Sequence, residues 1–169
     1  MIPPLPPTES LRLQALNRLE ILDTEQEATF DRITDLAAYL YRTEIATISL
    51  LDMNRQWFKA CVGLKTRETP RDYAFCAHAI LQDDVLVIGD ARDDERFNDN
   101  PLVTGPPFIR FYAGAPLRTS DGHPLGTLCV IDSTPRKAVE VDRRPLRDLA
   151  ALTILLMENR PRRRSDFAP

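Results

Sequence analysis

Cysteine is scarce in this chain: three in 169 residues. Cys61, Cys76 and Cys129 form no close pair and match no zinc-ligand spacing. An odd, scattered set excludes a disulfide framework and fits a reducing cytoplasm. Glycine is sparse too, and its six scattered residues build no phosphate-cradling loop. Long apolar runs are missing. The longest, Leu149 to Met157, is interrupted by Thr153 and falls far short of the roughly 20 residues that span a bilayer. The opening Met1-Ile2-Pro3-Pro4-Leu5-Pro6-Pro7 lacks the basic start and apolar core of a signal peptide. Nor does one sign of charge dominate: 22 basic and 25 acidic side chains leave a net −3. That balance gives no electrostatic reason to expect nucleic acid or an anionic membrane as partner.

What remains is an ordinary globular composition, 43% hydrophobic and 28% charged, at a length suited to one domain. Residues 1–7 read as a flexible tail, 8–160 as the domain, and 161–169 as a basic, disordered tail. Thr8 is an N-cap for a helix reaching about Leu22, with Leu11, Ala15, Leu19 and Leu22 on one face. A second helix over Glu27 to Tyr41 carries Phe30, Ile33, Ala37 and Leu40. Ile45 to Leu51 and Arg55 to Val62 then read as a β-hairpin about Asp52-Met53-Asn54. Gly63 to Asp72 reads as a loop, Tyr73 to Leu81 as a short helix and Val85 to Ile88 as a strand. Arg92 to Pro107 is irregular, with the length and Pro/Gly content of a lid. Arg110 to Arg118 and Leu125 to Asp132 form a second hairpin about Asp121-Gly122. The last helix, Val141 to Arg160, has a seam of Leu146, Leu149, Thr153 and Leu156 widened by Leu152 and Leu155. Ile154 and Met157 fall on its other faces. So apolar a helix needs cover on several sides, by its own sheet and by the first helix or a second copy of the chain.

Several stretches together resemble the GAF domains of bacterial sensor kinases and cyclic-nucleotide signalling enzymes. They include Leu19-Glu20-Ile21-Leu22-Asp23-Thr24, Arg55-Gln56-Trp57-Phe58-Lys59, Glu68-Thr69-Pro70-Arg71 and Phe75-Cys76-Ala77-His78-Ala79-Ile80. Arg110-Phe111-Tyr112-Ala113-Gly114-Ala115-Pro116-Leu117 and Leu125-Gly126-Thr127-Leu128-Cys129-Val130-Ile131-Asp132 complete the series. The resemblance implies an α+β fold with a central antiparallel sheet of five or six strands. First and last helices then pack on one face and often form a dimer contact; loops and short helices enclose a pocket on the other. Ligands across the family include cyclic nucleotides, tetrapyrroles, haem and small metabolites, so fold alone names no cofactor.

The residues around that pocket support binding better than catalysis. Phe75, Cys76 and His78 on the short helix, with Arg110 and Tyr112 on the following strand, are the candidate ligand-binding set. Cys76 and His78 stand two apart on a helix, about 200° around it, and so make poor partners for one metal ion. No metal or catalytic set is assigned, and the cysteines read as buried small hydrophobes, dispensable for function. Arg110 and Arg71 are suited to an anionic ligand or to pairing with a nearby carboxylate. The expected role is therefore a cytoplasmic, non-catalytic sensory domain, homodimeric and acting through a signalling partner. The alternative is a thiol redox enzyme like the free methionine sulfoxide reductases, which share this fold. Cysteine placement separates the two, because the enzyme needs two thiols that meet at a pocket.

Overall fold

A computed structural model describes residues 2–161; the run Arg162 to Arg164 lies outside them. The two apolar stripes at the start form α1 (Glu9–Arg18) and α2 (Ala28–Tyr41). α1 stops short of Leu22 because Glu20 and Asp23 take φ of 48° and 59°, which no right-handed helix accommodates. Thr8 occupies the N-cap without a side-chain capping bond. The first turn is held instead by Arg12, whose guanidinium donates to Glu9 at 2.7 and 2.8 Å. Ahead of it, Pro3 and Pro6 are buried.

β1 (Ile45–Leu51) and β2 (Arg55–Val62) form the first hairpin, and β5 (Phe111–Arg118) and β6 (Pro124–Asp132) the second. Gly122 turns the latter at φ 92°, as the Asp-Gly pair predicts. The segment read as a loop after Gly63 contains a short strand, β3 (Glu68–Pro70), paired with β2. Three residues are too few to display an alternating pattern, and Pro70 disguises them further. Between the hairpins lie α3 (Phe75–Ala79), β4 (Leu86–Ile88) and α4 (Pro101–Thr104). α5 (Arg144–Glu158) starts later than Val141, with Pro145 in its first turn where a missing N–H costs nothing. No helix among the described residues is long and apolar enough to cross a membrane.

The six strands run in the order β3-β2-β1-β6-β5-β4, every neighbour antiparallel. Alternation along them divides the core into two layers. Ala46, Ile48, Leu50, Phe111 and Val130 face the three long helices, where Leu16, Phe30, Ile33 and Leu146 cover them. Ile45, Leu51, Tyr112, Cys129 and Ile131 face the other way, under Phe75, Ile80, Phe97 and Val103. α5 is rotated from the expected seam: Leu146, Ala150, Thr153, Ile154 and Met157 are buried, while Leu152 and Leu155 are exposed. The helix packed along α5 is α2, and α1 lies against β6.

Ion pairs from Glu9, Asp23 and Glu27 fasten the N-terminal segment to the sheet. Ile48 pairs with Ala60 and Ser49 with Phe58, so Lys59 is the extra residue of a β-bulge. Its fully buried ammonium donates to Glu25 O at 2.6 Å, Glu27 Oε1 at 2.7 Å and Thr24 Oγ1 at 2.9 Å. Arg55 reaches Asp23 at 2.6 Å and Glu68 at 2.8 Å. Arg71 donates to Glu9 Oε1 at 2.6 Å and to the carbonyl of Asp52 at 2.9 Å.

Glu9 therefore sits between two guanidiniums. Burial opposes its ionisation, but Arg12 and Arg71 outweigh burial and bring its pKa from 4.5 to about 2. A carboxylate with a lowered folded-state pKa stabilises the fold above its unfolded value and loses that contribution as pH falls through the folded one. Glu9→Gln is expected to cost roughly 2 kcal/mol at pH 7, because Arg12 keeps its charge in the interior. In urea unfolding at a series of pH values, the gap to the parent should narrow from about pH 5 toward pH 2. A gap independent of pH would show that the ion pair contributes nothing.

Candidate functional site

The second face of the sheet is covered by short elements, and they do not fill it. A cavity of about 310 Å³ remains. The strands contribute Ile45, Thr47, Gln56 and Phe58 to its floor, together with Tyr112, Cys129 and Ile131. Leu64, Thr66 and Thr69 form one wall, and Phe75 and Cys76 of α3 another. Leu102, Pro106, Pro107 and Ile109, from the irregular segment, close the remaining side. That segment is anchored at its base. Phe97 stacks on Phe75 at 4.0 Å, and buried Asn100 caps α4 through Leu102 N while donating to Tyr73 O at 3.0 Å.

Of the expected site residues, Phe75, Cys76 and Tyr112 line the cavity. His78 and Arg110 do not. His78 is buried edge-on to Phe97 at 4.8 Å. Arg110 spends its Nη1 on the carbonyls of Val103 and Ile109, at 2.9 and 3.0 Å, and so braces the loop beside the cavity. Arg71 is likewise committed to Glu9. The space expected between α3 and β5 is packed: Tyr112 occupies the room left by Gly114, where any Cβ would lie 2.1 Å from the Tyr112 hydroxyl. The cavity opens beside that contact, over β1 and β2. Gln56 and Phe58 thus belong to the site although they entered the sequence reading only as part of a motif. Their inward position follows from β2 alternation up to the bulge.

One polar cluster interrupts the apolar floor. Thr47 and Ser49 of β1, Thr127 and Cys129 of β6, and Cys76 all face this side. Thr127 Oγ1 lies 2.9 Å from Cys76 Sγ, Thr47 Oγ1 lies 3.0 Å from Cys129 Sγ, and the Tyr112 hydroxyl donates to Cys76 at 3.5 Å. The two sulfurs are 3.9 Å apart. Burial opposes ionisation of Cys76, yet hydrogen bonds from Cys129, Thr127 and Tyr112 favour its thiolate and hold it below the ordinary thiol range. Cys129, hydrogen-bonded to that sulfur and buried, is pushed well above that range. The cysteines were expected to be isolated hydrophobes, and two of them instead meet at the cavity floor. Fifty-three positions separate them, so no local spacing announces the pair. The available signal was the run of polar residues at inward positions of otherwise apolar strands.

The 3.9 Å gap exceeds a disulfide bond of about 2.05 Å, so joining the sulfurs requires the two side chains to move together. Diamide, a two-electron thiol oxidant, is expected to join Cys76 to Cys129 and leave Cys61 open to alkylation, as read by peptide mapping. Crosslinks through Cys61 would contradict the pairing.

A GAF domain family model matches residues 25–155. The chain belongs to the GAF domain family. A cyclic di-GMP phosphodiesterase of Pseudomonas aeruginosa is 49% identical over 134 residues, covering 79% of this GAF chain. The chain spans 23% of that relative's length. The GAF domain of an Acinetobacter phosphoenolpyruvate-protein phosphotransferase superposes with a TM-score of 0.62 at 19% identity, covering 88% of this chain and 94% of that one. The free methionine-R-sulfoxide reductase of Neisseria meningitidis, solved with its substrate, also reaches 0.62, at 18% identity, with coverages of 88% and 89%. At such identities the likeness establishes a shared GAF fold and leaves the chemistry to the site.

Proposed function

We propose that this chain is a regulatory, non-catalytic GAF domain of bacterial-type signal transduction, which binds a small molecule in the Gln56–Tyr112 cavity. The observation that carries the reading is the cavity itself: mostly apolar, pre-formed and edged by a few polar groups, as small-molecule sites generally are. Among the described residues its walls hold no carboxylate or imidazole to act on a phosphodiester. Kinship to part of a protein named as a cyclic di-GMP phosphodiesterase fits a role in controlling a partner's output. Native mass spectrometry of freshly purified protein is expected to show a species heavier than the 19.2 kDa chain, with the excess mass released on denaturation. A bare chain from every source, with no heavier form after exposure to cell extract, would overturn the reading.

The Cys76–Cys129 contact supports a second reading, a sulfoxide reductase. Two thiols would supply two electrons and two protons, the sulfoxide oxygen would leave as water, and the pair would end as a disulfide. Free methionine sulfoxide is a zwitterion, however, and among the described residues the cavity offers no charged side chain for its ammonium or carboxylate. No turnover of that substrate with dithiothreitol is expected. Turnover abolished by Cys76→Ser would make the enzyme the leading reading.

We further propose a homodimer through α1 and α5, with α2 flanking. Exposed apolar side chains lie on all three: Leu11, Leu152 and Leu155, with Leu36, Tyr39 and Leu40. Burying such surface against a second copy removes it from water. Light scattering should return twice 19.2 kDa, and Leu155→Glu should return the single mass. A monomer at all concentrations contradicts the proposal.

A further inference from the structure

We infer that the cavity's ligand is a neutral, mostly apolar small molecule that presents one N–H or O–H donor to Gln56. The inference rests on the reading of the cavity as a ligand site and adds the chemical class. The first ground is charge. Among the described residues, no Asp, Glu, Lys, Arg or His lines the cavity. Of the cations nearby, Arg110 is held by two backbone carbonyls and Arg71 by Glu9, while Lys65 and Arg67, beside Thr66, are exposed and outside the lining. An anion such as a nucleotide, or a free amino acid, would enter an apolar chamber without a counter-charge, which strongly disfavours binding.

The second ground is Gln56. Its side chain is buried, at 6% exposure, and lines the cavity. Nε2 donates to Thr69 Oγ1 at 3.1 Å, while Oε1 has no hydrogen-bond partner among the described residues. A buried amide oxygen without a donor is a cost that the fold bears until something supplies one. Oε1 is itself sealed from solvent, so the inferred contact requires the amide to turn toward the cavity. Other polar wall groups are already engaged: the Thr47 hydroxyl and the Cys76 and Cys129 thiols bond to one another or to Ser49, Thr127 and Tyr112, Thr66 donates to Glu68 O, and Thr69 accepts from Gln56.

The third ground is size and surface. At about 310 Å³ the space stands at the small end of ligand pockets, which begin near 300 Å³. Phe58, Phe75, Tyr112 and the Pro106-Pro107 pair offer flat apolar walls suited to a ring compound.

Four probes of one shape separate the terms: indole, a neutral donor; 1-methylindole, neutral without a donor; indole-3-acetate, an anion; and tryptamine, a cation. Methyl NMR of the purified chain reads them through Ile45, Ile109 and Ile131, which line the cavity, against Ile33 and Ile154, which do not. Indole is expected to move the first set alone and to bind about fivefold tighter than 1-methylindole, the worth of one neutral hydrogen bond. The charged probes should bind at least about a hundredfold more weakly than indole. Gln56→Leu should bring indole and 1-methylindole to equal affinity, and Ile109→Trp, which fills the cavity from the loop, should abolish both. Should Gln56→Leu fail to fold, the ratio of the two neutral probes on the parent chain still decides the donor. If 1-methylindole binds as well as indole, the donor is overturned. If a charged probe binds as tightly as indole at these methyls, the neutral class is overturned while the binding-site reading stands. Silence from all four probes withdraws both.

Discussion

A sheet with apolar residues on both faces must be shielded from water on both, and here the two shields are unequal. The three long helices close one face with whole turns of side chains, Leu16, Phe30, Ile33, Leu146 and Ile154 among them. The other face has only the five-residue α3, the four-residue α4 and irregular chain between them. Short elements leave gaps where they meet, and the gap over β1 and β2 is the cavity. Tyr112 closes the neighbouring space by lying over Gly114, so the opening is confined to one end of the sheet. On this account function follows from incomplete packing on one layer, made tolerable by complete packing on the other.

The stretches that carry the family resemblance serve mainly as fasteners. Asp23 and Thr24 meet Arg55 and Lys59, while Glu68 meets Arg55 and Arg71 meets Glu9. They hold the N-terminal residues across the sheet edge; Lys59 and Arg71 are deep enough that losing a partner strands a charge, while the Arg55 pairs lie at the surface. Gln56 and Phe58 sit in the same stretch but point the other way, into the cavity. One strand therefore carries fastening residues on one face and cavity-lining residues on the other. That is why kinship reports the fold so well and the ligand so poorly.

Both hairpins were legible in the sequence, because alternation and the Asp121-Gly122 turn are local signals. Phe75, Cys76 and Tyr112, candidates from the sequence, line the cavity, which opens beside the place expected for it. Arg110 does not: a long cationic side chain says nothing of where its guanidinium ends, and here two carbonyls capture it. The outward turn of Leu152 and Leu155 was equally hidden, since a helix apolar on most sides does not declare which side faces the sheet. The thiol contact depended on β1 aligning Thr47 with Cys129 of β6, and on α3 settling over them, which are tertiary facts.

The account's central claim is that the second face holds a dry, apolar and unfilled space bounded by Ile45, Phe58 and Ile109. Xenon enters such spaces and avoids polar, hydrated ones. A crystal structure of the chain under xenon pressure tests the claim directly. The account predicts a xenon atom among those three side chains, or a bound molecule already in its place. Ordered water or an ion there, or Phe58 and Ile109 in contact across a closed gap, would contradict it.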